Sequence, residues 1–93
     1  MTLATLQMVL VVNGCHSLRE KQKRMRGIMG KLHKHFNVSV ADVGRDDDPS
    51  QAKLAVAVIG RTRSEVHATL ERVADAVAVH PRAQLVSQTI TVL

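Results

Sequence analysis

Twice along this chain a run of alternating apolar residues breaks off, and a hydroxyl side chain is followed three positions later by glutamate: Ser17 with Glu20, and Thr62 with Glu65. This is the capping-box pattern. The hydroxyl accepts an N–H of the first helical turn, and the glutamate reaches back to a donor the helix leaves unpaired. The period changes at each box, from every second residue before it to helical spacing after it. A chain that makes this switch twice, and returns to a strand each time, is two β-α-β halves in tandem.

Leu3–Val12 reads as the first strand, with Ala4, Leu6, Met8, Leu10 and Val12 on one parity. The turn Asn13–His16 follows. In the helix that Ser17 opens, Leu18, Gln22, Met25, Ile28, Met29, Leu32 and Phe36 share one stripe at about 100° per residue. Asn37–Val43 is expected as the second strand, with Val38 and Val40 inward, and Lys53–Gly60 as the third. The polar turn between them contains Asp46, Asp47 and Asp48, read as solvated; the run is too short for a calcium loop. A second helix runs from Thr62 to about Val79 with Val66, Leu70, Val73 and Val77 inward. Pro81 halts it, since the residue before proline avoids the helical region. The last strand, Gln84–Val92, is read as unbroken alternation: Val86, Gln88, Ile90 and Val92 against Leu85, Ser87, Thr89 and Thr91. Right-handed crossovers then place both helices on one face of a four-stranded antiparallel sheet. The expected fold is α+β, a ferredoxin-like βαββαβ plait occupying residues 1–93 as one domain.

At 93 residues the core must be nearly all aliphatic, because Phe36 is the only aromatic residue among Phe, Tyr and Trp. A lone cysteine, Cys15, forms no internal disulfide and suits a reducing compartment. The N-terminal MTLATLQMVLVV lacks the basic lead and cleavage site of a signal peptide, and no apolar run suffices to span a bilayer. The expectation is a soluble, cytoplasmic protein.

Charge is concentrated in one place. Between Ser17 and His35 seven Lys or Arg accompany one acid, Glu20, while the remainder carries six basic and seven acidic residues. The net charge of +5 therefore belongs to the first helix. Lysines and arginines on an exposed helix ordinarily alternate with glutamate. Here like charges three and four positions apart repel, a small cost that suggests an anionic partner. Arg19, Lys23, Arg26, Lys31 and Lys34, and next Arg24, are the expected nucleic-acid contacts. Lys21 lies nearer the apolar boundary and is expected to snorkel to solvent. A membrane surface fits less well, because the helix's apolar stripe is needed by the sheet.

Other chemistries have weaker signals. RNA-recognition plaits stack bases on sheet aromatics, and the open parity here offers Thr5, Gln7, Val9, Ser39, Ala41, Ala57, Ile59, Ser87 and Thr89 instead. RNA would have to be held through phosphates and shape. The Gly27–Gly30 string matches the G-x-x-G of a KH loop but sits inside helical periodicity. Acylphosphatases use this fold with an arginine in the first turn; Arg19 already lies within the helix, with Asn37 the available partner for a water. Cys15 and His16 are adjacent and lack a third group. His16, His33, His35, His67 and His80 have no metal-site spacing. No catalysis, cofactor or metal is expected.

The stretch SLREKQKRMRGIMGKLHKHFNVSVADVG, Ser17–Gly44, resembles the signature of the YlxP-like family of small bacterial proteins of undefined function, and the likeness extends over nearly the whole chain. Ser17, Leu18, Glu20 and Lys21 match its helix start, and Phe36 to Ala41 its following strand. Gln22 stands where that family usually has arginine, and DDDPSQAK replaces a turn that usually carries an aromatic. The resemblance implies a ferredoxin-like fold. It also implies a ribosome-linked role, since the family's genes commonly lie beside that of a ribosome-binding factor. The expected function is a noncatalytic module bound to RNA or a ribosomal subunit through its basic helix. A homodimeric interaction module without nucleic acid is the alternative, and an acylphosphatase-like hydrolase a more distant one. A homodimer is expected in either binding reading, through the sheet's open face (Val9, Val11, Ala41, Ala57, Ile59, Leu85) or through the edge strand Asn37–Val43.

Overall fold

The computed structural model describes residues 1–45 and 47–93. The order is β1 (Thr2–Val11), α1 (Leu18–His35), β2 (Ser39–Asp42), β3 (Gln51–Gly60), α2 (Arg63–Ala78) and β4 (Gln84–Val92). The four strands form one antiparallel sheet in the order β2-β3-β1-β4, with both helices on one face: the ferredoxin-like plait.

Both capping boxes form. Ser17 Oγ accepts from Glu20 N, and Thr62 Oγ1 from Glu65 N, each at 3.2 Å. The glutamates return to the N–H groups of His16 and Arg61, one residue before each cap. Ahead of the first box the chain reverses at Gly14, whose φ of +79° disfavours any residue with a Cβ.

The core is the expected aliphatic one. Leu6, Met8 and Leu10 of β1 and Leu54 and Val56 of β3 pack beneath Met25, Ile28 and Leu32 of α1, and beneath Val66, Leu70, Val73 and Val77 of α2. Three expectations about the elements need correction, and the reading of Lys21 and its turn follows them. In α1 the buried stripe is Lys21, Met25, Ile28 and Leu32, while Leu18 and Gln22 are exposed. In β2 the strand is shorter than Asn37–Val43. Phe36 caps α1 and the next two residues turn the chain, while Asp42 Oδ1 accepts from Gly44 N to close the far end. In β4 the alternation breaks: Val9 pairs with Ser87 but Leu10 with Leu85, so Val86 is an extra residue in a β-bulge. The bulge turns Leu85 onto the core side and leaves Val86 56% exposed, the reverse of the expected parity.

Lys21 does not snorkel. It is 3% exposed, and its ammonium donates to three backbone carbonyls, two in the β2–β3 turn and one at the start of β3: Arg45 O (2.8 Å), Asp48 O (2.7 Å) and Gln51 O (3.1 Å). An ammonium has three protons and no acceptor capacity, so this site satisfies it completely. Of the acidic turn, Asp46 lies outside the described residues. Asp47 is exposed and pairs with Arg45 at 2.7 Å. Asp48 accepts from Ser50 N and Oγ, and these bonds, the side-chain one foremost, hold its carboxyl below the usual range. The turn is therefore anchored to α1 rather than simply solvated.

Candidate functional site

Because Lys21, Met25, Ile28 and Leu32 point at the sheet, the helical repeat sends the other cations of α1 outward. Arg19, Lys23, Arg26, Lys31 and Lys34 are exposed and Arg24 half-buried. Among the described residues the ion pairs are Arg45–Asp47 and His67–Glu71, so none of these six cations is ion-paired with a described carboxylate.

The fold sorts the six into two groups. Lys23, Arg24, Gly27 and Lys31 form one wall of a cleft of about 510 Å³, and His80, Pro81 and Arg82, between α2 and β4, form the other. Arg24 spans its end, donating through Nη1 to Asn13 O and to Arg82 O, the latter at 3.3 Å. That guanidinium is in part a brace holding the two walls and the β1–α1 turn together. Arg19, Arg26 and Lys34 lie outside the cleft lining. The one acid of the cleft, Glu20, is engaged with the N–H of His16.

His80 reports the electrostatics of this place. Burial, and then the charges of Lys31, Arg82 and Arg24, hold its pKa below the ordinary 6.5. Its Nδ1 accepts from Arg82 N at 3.2 Å, so the neutral ring carries its proton on Nε2, a spare donor. Gly27 contributes room: a Cβ there would meet nothing within 4 Å. A mid-helix glycine costs about 1 kcal/mol relative to alanine, and no packing contact explains this one.

Sequence reasoning found the α1 wall and missed the opposite one. His80-Pro81-Arg82 was legible only as a helix stop; the available signal was an arginine directly after it. The acylphosphatase pair is not assembled: Arg19 and Asn37 stand at opposite ends of α1, roughly 27 Å apart at about 1.5 Å per residue. Cys15 is buried in the core beside an exposed His16. Among the described residues no three His, Cys, Asp or Glu side chains gather as a metal site, and no helix is long and apolar enough to cross a membrane. The open sheet face carries no aromatic side chain, and Phe36 is half-buried against the core.

The model of a family described as "Protein of unknown function (DUF503)" matches residues 3–90. The chain belongs to the DUF503 family. It is also similar to a curated relative, "Uncharacterized protein YlxP" of Bacillus subtilis (strain 168), with 25% identity over 63 residues, 68% of each chain. Both findings agree with the YlxP-like motif at Ser17–Gly44. In this DUF503 member the motif's residues divide by role. Ser17 and Glu20 cap α1, Lys21 fastens the β2–β3 turn, and Gln22 falls on an exposed position outside the cleft lining.

Proposed function

We propose that this protein is a noncatalytic RNA-binding module, directed at structured RNA such as that of a ribosomal subunit, with the cleft beside α1 as its principal contact surface. The supporting observation is the convergence of Lys23 and Lys31 of α1 and Arg82 of the α2–β4 connection on one cleft in which Glu20 is the single acid. Cations in excess that face each other across a cleft repel, and a row of phosphates relieves that repulsion. Arg24 braces the walls and offers its remaining N–H groups. Arg19, Arg26 and Lys34 extend the positive potential along the helix. Base stacking on the sheet plays no part, for want of rings there.

Filter binding to ribosomal subunits and to structured RNA, across salt, tests this. Neutralisation of about four to six phosphates gives a log–log salt slope of roughly −3 to −5. A folded Lys23→Glu/Lys31→Glu/Lys34→Glu variant that binds as well as wild type overturns the proposal.

Homodimerisation is a second reading, favoured by one observation. Leu3 and Ile59 are directly paired across β1 and β3 on the open face and are 42% and 61% exposed. The edge route is less favoured, because β2 offers only Ser39–Asp42, and short edge strands resist pairing.

A further inference from the structure

The cleft does not end at His80. An apolar groove of about 260 Å³ continues from it between the C-terminal ends of α1 and α2, sharing Ile28, Lys31, His80 and Pro81 as a common border. Leu32, His35, Phe36, Ala76 and Val77 line the rest of it, and no acidic residue does. Val79 on its rim is 81% exposed, more than any other large hydrophobic residue except Met1. Nothing in the fold requires an aliphatic side chain at that helix cap.

We infer that this groove receives one unstacked base of a single-stranded segment of RNA, while the phosphate next to that base sits in the cationic cleft. The inference rests on the RNA reading above and adds base contact to it. The occupant follows from the border. A ligand that fills both must present an anion to Lys23, Lys31 and Arg82 and, across the shared border, an apolar body to Pro81, Val79 and Phe36. A nucleotide joins those two parts through its sugar. Bases splayed from single strands stack on aromatic side chains, and extruded bases are held between aromatic and apolar ones. The neutral His80, with Nε2–H free, stands where it can donate to either part.

Two unstructured RNA oligomers of equal length, one normal and one with every base removed, carry the same phosphates. Wild type is expected to bind the normal strand about tenfold more tightly than the abasic one. Val79→Ser, at an exposed position that leaves folding intact, is expected to erase most of that difference without changing duplex binding or the salt slope. Phe36 is the chain's only benzene ring, so nuclear Overhauser contacts from base protons to its ring protons place the base directly. Equal binding of the two strands overturns the inference while the phosphate reading stands. Failure of strands and duplex alike removes the RNA reading, and this with it. Displacement of the normal strand by an equimolar acidic, leucine-containing peptide also overturns it, giving the groove to a protein partner.

Discussion

Lys21→Met removes one ammonium and keeps most of its aliphatic stem, which makes it a clean test of what the buried lysine does. Three hydrogen bonds end on carbonyls of Arg45, Asp48 and Gln51. Bonds from a charged donor contribute about 1.5–3 kcal/mol each when counted singly. Two effects reduce the sum. The variant no longer desolvates a charge, and carbonyls in a turn at the surface recover some water. A net loss of about 2–4 kcal/mol is expected, against a total of about 5–15 for a domain of this size. At about 4–8 °C per kcal/mol that lowers the thermal midpoint by about 8–32 °C. Lys21→Arg should also lose stability, because a planar fork cannot aim its donors at three converging carbonyls. Far-UV circular dichroism on heating and in urea is the assay, the chain having neither Trp nor Tyr. An unchanged or raised midpoint for Lys21→Met would refute this account of the residue. RNA affinity of the folded variant should be unaltered, since the ammonium faces the turn.

Gly27→Ala, with open space around the new Cβ, should stabilise by about 1 kcal/mol, whereas Gly44→Ala, whose Cβ would lie 2.8 Å from the backbone nitrogen of Lys53, should destabilise. Opposite signs in the same melting experiment are required; matching signs would be wrong. The pKa of His80 is lowered by burial, then by Lys31 across the cleft, Arg82 on its own wall and Arg24 across the cleft, with Glu20 the only acid among the described residues that line the cleft. Its lowered pKa contributes stability that is full above 6.5 and is lost as pH falls below it, so wild type should weaken relative to His80→Gln on acidification; parallel pH curves would count against this. Sedimentation equilibrium of Ile59→Lys beside wild type checks the open-face dimer. A wild type that stays monomeric at high micromolar concentration ends that reading, and a dimer indifferent to the substitution moves the interface elsewhere.

What was legible beforehand follows from where information is local. The period switch and the capping boxes are short-range signals, and they place both helices and four strands within a few residues. A β-bulge is not written into alternation: Leu85 and Val86 are both aliphatic, and only pairing with Leu10 decides which faces inward. Lys21 was misplaced for a related reason. Hydropathy sends lysine outward, while the carbonyls that receive it lie more than twenty residues further along the chain. At the site, the basic wall was visible because its residues are neighbours on one helix. Its partner wall of His80, Pro81 and Arg82 arrives through tertiary packing of α2 against the sheet.

Equal changes of charge on the two flanks of α1 separate a built cleft from a merely basic helix. Lys23→Glu/Lys31→Glu and Arg19→Glu/Arg26→Glu alter the net charge identically, and all four positions are exposed, so both variants should fold. Structured-RNA binding at fixed salt, with its salt slope, is measured on each. The cleft pair is expected to lose at least about tenfold in affinity and about two units of slope, and the flank pair no more than about threefold. Equal losses from both pairs, or none from the cleft pair, would contradict the assignment of the cleft as the contact surface.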